Sequence, residues 1–185
     1  MTTPRALVPL ADGCEELEAV TIIDILRRGG VDVTVASLTG ETITASRSVR
    51  IEPDTGLDNA LADDYDIVVL PGGGGGADRL EADSRIRELL VKMADSGKFV
   101  AAICAAPKVL AAAGLLENRT ATSYPGYIDT NPAKGMRYSE DAVVQDGKLI
   151  TSRGPGTAMD FALKLVEQLV SADRSREVEK ALQRA

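Results

Sequence analysis

The residues best suited to chemistry lie between Lys98 and Leu110, where the apolar run Phe99 to Ile103 ends at Cys104 and continues directly into Ala105-Ala106-Pro107-Lys108-Val109-Leu110. This pattern predicts a buried strand turning without a spacer into a helix, with a thiol at an exposed corner. The helix N-terminus offers unpaired N–H groups and the positive end of a dipole. Both favour thiolate over thiol, so Cys104 is expected to titrate at about 4 to 7, against ~8.5 for a free thiol, and is the candidate nucleophile. A lone cysteine also packs as a small hydrophobe. On this stretch alone, both readings stay open.

A second run, Gly72 to Gly76, follows the apolar segment ending at Leu70-Pro71. It lacks the Lys-Ser/Thr ending of a phosphate loop and the spacing of a dinucleotide loop, which argues against a nucleotide. Glycine permits close backbone approach, so the N–H of Gly73 can pair with that of Ala105 to hold an oxyanion formed at Cys104. The acidic cluster Glu15-Glu16-Leu17-Glu18 opens a predicted helix, where carboxylates are favoured by the dipole. Helical spacing sets Glu18 one turn after Cys14 and Glu15 and away from Glu16, which is expected to face solvent. In an apolar pocket beside a thiolate, Glu18 would have a raised pKa and could donate a hydrogen bond or carry a proton.

The chain has no histidine. That excludes Ser-His and Cys-His dyads and His-ligated metals, so any acid or base is a carboxylate, tyrosine, lysine, thiol or water. Net charge is −7, without a dense basic run, which argues against nucleic acid or an anionic membrane as the main partner. The two cysteines, without CxxC spacing, suggest a reducing cytoplasm with no disulfide framework and no metal site. The opening Thr2-Thr3-Pro4-Arg5 runs into a short strand and reads as no leader, and no apolar stretch approaches membrane-spanning length.

The elements that must position these groups alternate. Strands are predicted at Ala6–Ala11, Val31–Ser37, Tyr65–Leu70, Phe99–Ile103 and Lys148–Ser152, the last entered through a hairpin turn at Asp146-Gly147, with a short β excursion over Ile43–Ile51. Helices are predicted at Glu15–Arg28, Ser84–Ser96, from Pro107, at Thr157–Val170 and at Arg174–Arg184. The first has Leu17, Val20, Ile23, Ile25 and Leu26 as its apolar positions. No element is assigned to the glycine run, and Tyr124 to Pro132 reads as irregular. The pattern implies one domain over residues 1–185, an α/β fold with a mostly parallel sheet covered on both faces. In such sheets ligands bind beyond the carboxyl ends of the strands. Asp12–Glu18, Pro71–Gly76, Cys104–Ala106 and Ser152–Thr157 all fall there and are expected to converge.

The segments Arg5-Ala6-Leu7-Val8, Gly13-Cys14-Glu15-Glu16-Leu17-Glu18, Val69-Leu70-Pro71-Gly72-Gly73, Ala101-Ala102-Ile103-Cys104-Ala105-Ala106-Pro107 and Ser152-Arg153-Gly154-Pro155-Gly156-Thr157 span nearly the whole chain. In them the sequence resembles the ThiJ/PfpI superfamily, related to class I glutamine amidotransferases, in the branch of the parkinsonism-associated protein deglycase and bacterial YajL. The resemblance implies a flavodoxin-like three-layer sandwich, a homodimer, no cofactor, and Cys104 on a nucleophile elbow hydrogen-bonded to Glu18. It also implies backbone donors at Gly73 and Ala105, a pocket including Glu15, Gly72 and Tyr124, and Arg47 and Arg153 at its rim. Many members carry histidine where Thr122-Ser123-Tyr124-Pro125 has Tyr124, whereas YajL-like members carry an aromatic there. A Cys-His peptidase is therefore not expected. The implied activity is a glutathione-independent glyoxalase or deglycase acting on glyoxal, methylglyoxal or their early adducts. The alternative is a redox-sensing or chaperone protein whose Cys104 oxidises to sulfinate, with Cys14 as a further redox candidate.

Overall fold

The computed structural model describes residues 3–184. Met1, Thr2 and Ala185, the outer ends of the expected single domain and part of the stretch read as no leader, lie outside the described residues. In chain order the elements are β1 (Arg5–Leu10), α1 (Glu16–Arg28), β2 (Asp32–Ser37), β3 (Ile43–Thr44), β4 (Arg50–Ile51), β5 (Thr55–Gly56), α2 (Leu57–Ala60), β6 (Ile67–Leu70), α3 (Gly74–Ala82), α4 (Ser84–Asp95), β7 (Phe99–Ile103), α5 (Pro107–Ala112), β8 (Thr120–Ala121), β9 (Arg137–Tyr138), β10 (Val143–Asp146), β11 (Leu149–Ser152), α6 (Ala158–Leu169) and α7 (Ala172–Ala181).

The main sheet has seven strands in the order β10-β11-β7-β6-β1-β2-β5. Only β10 runs antiparallel to its neighbour. The strand order explains the composition: β6 (Ile-Val-Val-Leu) and β7 (Phe-Val-Ala-Ala-Ile) are buried along their whole length, as central parallel strands covered on both faces must be. The helices form two packed groups, α1 with α6 and α7, and α3 with α4 and α5, giving the expected flavodoxin-like α/β sandwich.

The chain passes from β1 to β2 on one side and later returns to β6 on the other, so a crevice opens beyond the carboxyl ends of β1 and β6. The loops after β1, β6, β7 and β11 meet there. The Glu15 N–H donates to the Gly72 carbonyl at 2.9 Å, the Cys104 N–H to Ser152 at 3.0 Å, and the Tyr124 N–H to Cys104 at 2.9 Å.

Two expectations are corrected. In α1 the buried residues are Glu18, Ala19, Ile22, Ile25 and Leu26, while Leu17 and Val20 are 51% and 50% exposed. Periodicity found the apolar residues of this helix but could not separate the face packed on the sheet from a second apolar face turned outward. The glycine run is also no loop throughout, because Gly74 to Gly76 form the first turn of α3. The low helix propensity of glycine hid this turn, and close packing explains it: a Cβ at Gly76 would lie 2.7 Å from the Cys14 α-carbon.

Candidate active site

Cys104 sits between β7 and α5 with φ = +63°. A non-glycine residue in the left-handed region costs about 1–3 kcal/mol, a strain that the surrounding structure must hold in place. Here the backbone bonds to Ser152 and Tyr124 on either side of the residue hold it. The side chain is 8% exposed, so the corner is not the open one expected from the sequence. The turn delivers the thiol into the crevice instead of out to solvent.

Glu18 is fully buried on α1, and its Oε2 accepts a 2.8 Å hydrogen bond from the Gly72 N–H. Its Oε1 is buried with no completed hydrogen bond, and the Cys104 thiol is the other group that approaches this carboxyl. Gly72 makes the meeting possible. A Cβ there would lie 2.6 Å from both Cys104 Cβ and Glu18 Oε2, so any other residue would push the two apart. Gly73 has φ = +86°, and a Cβ on it would come within 2.3 Å of the Gly13 carbonyl. Its N–H and that of Ala105 both act on the Cys104 sulfur, and neither donates to another protein acceptor among the described residues. The pair of backbone donors expected from sequence therefore converges on the thiol.

Burial pushes Glu18 up to about 7, against the Gly72 N–H and the Cys104 thiol, which favour its ionised form. Burial, and then the charge of Glu18, push Cys104 up to about 12 while the two backbone N–H groups pull it down. The depressed thiol expected from the corner is thus corrected: burial and the neighbouring Glu18 outweigh the backbone N–H groups. Two features weaken the helix contribution: α5 has only six residues, and Pro107 at its start has no N–H to offer. With Glu18 at about 7 and Cys104 at about 12, the negative charge of the pair rests first on the carboxyl, and thiolate forms by proton transfer from sulfur to Glu18. On sulfur that charge meets the N–H groups of Gly73 and Ala105 and, when Glu18 keeps the proton, its O–H. On the carboxyl it meets the Gly72 N–H and the thiol.

The remaining residues divide. Glu15 is half-buried beside this pair, accepting from Ser46 Oγ at 2.9 Å, and its charge contributes to raising Glu18. Glu16, expected in solvent, instead ties down the β3–β4 turn, accepting from Ser46 Oγ at 2.9 Å and the Arg47 N–H at 2.8 Å. The Tyr124 ring is half-exposed against Gly154, so it stands at the rim. The Arg47 and Arg153 guanidinium groups are directed elsewhere, donating to the carbonyls of Ser46 and Glu140. Cys14 is 1% exposed, packed on Gly76, and pushed up to about 12 by burial and by Glu16, Glu15 and Asp12. Both cysteines are free. Sequence reading missed Tyr127, whose ring lies edge-on to Tyr124 at a 6.5 Å centroid distance. It sits in the stretch read as irregular, where no periodicity assigns a direction to a side chain.

Among the described residues, no group of three or more His, Cys, Asp or Glu is placed to hold a metal ion, and no helix is long and apolar enough to cross a membrane. A cleft of about 440 Å³ between Tyr65, Leu89, Lys92 and Met93 shares no residue with the Cys104 site. The strained thiol and the buried carboxyl, rather than this cleft, form the candidate functional site.

A thiol on a strained strand-to-helix corner, at the carboxyl edge of a parallel sheet, gives this α/β protein the strand–turn–helix geometry that nucleophile elbows use. Residues 4–168 match the DJ-1/PfpI family, and the chain belongs to it. It is 47% identical over 179 residues to Protein dj-1beta of Drosophila melanogaster, covering 96% of this chain and 95% of that one. It is 38% identical over 176 residues to the glutathione-independent glyoxalase DJR-1.2 of Caenorhabditis elegans, covering 95% and 93%. The crystal structure of Drosophila melanogaster DJ-1beta superposes with a TM-score of 0.94 at 44% identity over 100% of both chains. The structure of oxidized Toxoplasma gondii DJ-1 superposes with a TM-score of 0.93 at 38% identity, covering 99% of this chain and 100% of that one.

Proposed function

We propose that this protein is a glutathione-independent glyoxalase that converts small α-oxoaldehydes such as methylglyoxal into hydroxy acids, with Cys104 as nucleophile and Glu18 as proton carrier. The observation that carries this reading is the buried Glu18 carboxyl, raised to about 7 and set across Gly72 from a thiol with two free backbone N–H donors. The named activity of the Caenorhabditis elegans relative supports it.

In the reactive state Glu18 holds the proton and Cys104 the charge. Sulfur attacks the aldehyde carbon, and the carbonyl electron pair moves onto oxygen, held by the N–H groups of Gly73 and Ala105, and takes the Glu18 proton. The carboxylate then removes the hydrogen from that carbon, the former keto oxygen takes the proton of the first hydroxyl in an enediol-like state, and the hydrogen returns to the neighbouring carbon as the first oxygen becomes the thioester carbonyl. The hemithioacetal has become a thioester by isomerisation, with no oxidant consumed. Water adds to the thioester, the C–S bond breaks, and the hydroxy acid leaves with Cys104 regenerated. Because early glyoxal and methylglyoxal adducts release aldehyde, the same chemistry extends to deglycation. A Cys-His peptidase mechanism has no candidate acid, since the chain has no histidine.

The working form is a homodimer in the cytoplasm. Leu17 and Val20 on α1 are about half-exposed, as is Val49, whose backbone N–H reaches Glu16 on the same helix. These exposed apolar side chains are best buried against a second copy of the chain.

A second reading, a redox-sensing or chaperone role, is favoured by the same buried carboxyl, because a protonated Glu18 can donate to a Cys104 sulfinate and slow further oxidation. The oxidized Toxoplasma gondii structure is in keeping with it. Lactate formation from methylglyoxal without glutathione tests the enzyme. If lactate appears with wild type and is lost in Cys104→Ser, the glyoxalase reading stands; if no preparation forms it, the redox reading replaces it.

A further inference from the structure

Tyr127 lies in the turn after Pro125-Gly126, and neither the conversion above nor the expectations from sequence use it. Its ring is held edge-on against Tyr124, with an interplanar angle of 79°. The residue is partly buried, and its hydroxyl, which is not among the buried unpartnered atoms, makes no hydrogen bond to any described residue. The hydroxyl lies close over Gly74: a Cβ there would lie 3.2 Å from the phenol oxygen, so a side chain at this position displaces the phenol by a few tenths of an ångström. Gly74 follows directly on Gly73, whose N–H is one of the two donors acting on Cys104. The charge of Cys104 is also felt at the phenol, after burial the largest influence on its ionisation.

We propose that Tyr127 is a specificity-determining residue of the Cys104 site, its hydroxyl donating a hydrogen bond to the second oxygen of a small dicarbonyl substrate while its ring bounds the mouth of the pocket. The chemistry argues for a donor of this kind. The backbone N–H groups of Gly73 and Ala105 take the oxygen of the attacked aldehyde, which leaves the neighbouring keto oxygen an acceptor without a partner. A donor placed for the second oxygen binds a dicarbonyl more tightly than a monocarbonyl compound by about the worth of one hydrogen bond, since a monocarbonyl leaves the phenol to water. An unspent donor, its seat close over Gly74, and adjacency to the oxyanion donors select an aldehyde bearing a second acceptor, such as an α-oxoaldehyde, over a simple aldehyde.

This inference rests on the glyoxalase reading for its substrate, but its test separates the two. Tyr127→Phe and Gly74→Ala remove and displace the hydroxyl respectively. In turnover both are expected to raise KM for methylglyoxal about fivefold, with kcat changed less than twofold. The second readout needs no turnover: the rate of Cys104 alkylation by iodoacetamide, which carries a carbonyl acceptor, relative to methyl iodide, which carries none. That ratio is expected to fall about threefold or more in both variants. An unchanged ratio in Tyr127→Phe overturns the proposal, whether or not the wild type turns over methylglyoxal. A lowered ratio with no turnover in any protein upholds Tyr127 as the donor and overturns the glyoxalase reading alone.

Discussion

Glu18 and Cys104 come from different elements, α1 and the β7–α5 corner, and meet across the one residue that separates them, Gly72, where a Cβ would lie 2.6 Å from atoms of both. Their chemistry depends on that spacing. Gly72→Ala is expected to lower kcat/KM about a hundredfold, the usual result of displacing reacting groups by about 1 Å, with the far-ultraviolet circular dichroism unchanged. Steady-state kinetics on methylglyoxal check it.

The Glu18 carboxyl links stability to pH. It is raised from an ordinary 4.5 to about 7, so the folded protein binds more protons than the unfolded chain between these values. A raised folded-state pKa stabilises fully below the unfolded value and is lost as pH rises through the folded one. Unfolding free energy should therefore fall by about 3 kcal/mol from Glu18 alone between pH 4.5 and 7.5. Glu18→Gln should lose this slope. Urea denaturation of both proteins at pH 5 and pH 8 measures it, and equal slopes would remove the raised carboxyl.

Alkylation should discriminate between the thiols. Cys14 is 1% exposed behind Gly76 and pushed up by burial and three carboxylates, whereas Cys104 at 8% exposure has two backbone donors aimed at its sulfur. Peptide mass spectrometry after brief iodoacetamide treatment at pH 7 should find Cys104 modified faster than Cys14, because both thiols are pushed up to about 12 and only Cys104 is reachable and has N–H groups to stabilise its thiolate. Comparable rates would return Cys104 to a packing role.

The outward face of α1 gives a prediction about assembly. Leu17→Glu or Val20→Glu places a charge among these exposed apolar side chains and should shift a dimer to monomer in sedimentation velocity. A monomeric wild type at micromolar concentration would contradict the homodimer.

The sheet was legible because parallel strands write themselves as short apolar runs: β6 and β7 fall where Ile67–Leu70 and Phe99–Ile103 put them. The site segments were legible for the same reason, since each follows one of those runs. What escaped depended on tertiary packing. No local signal shows that Gly74 opens a helix, that Glu16 turns back to hold Ser46 and Arg47, or that the Cys104 corner closes over its own thiol. Tyr127 escaped because its value lies in the space above Gly74, a relation between residues far apart in sequence.

The most direct measurement follows the hydrogen that Glu18 is proposed to carry. Methylglyoxal is converted in glutathione-free deuterium oxide and the lactate is read by proton NMR. A carboxyl that exchanges with solvent between taking the hydrogen and returning it leaves deuterium at the lactate C2, and Glu18→Gln should cut the yield about a hundredfold or more, the scale of a lost general acid–base. Lactate that keeps its original hydrogen at C2, formed equally well by Glu18→Gln, would contradict proton transfer through Glu18.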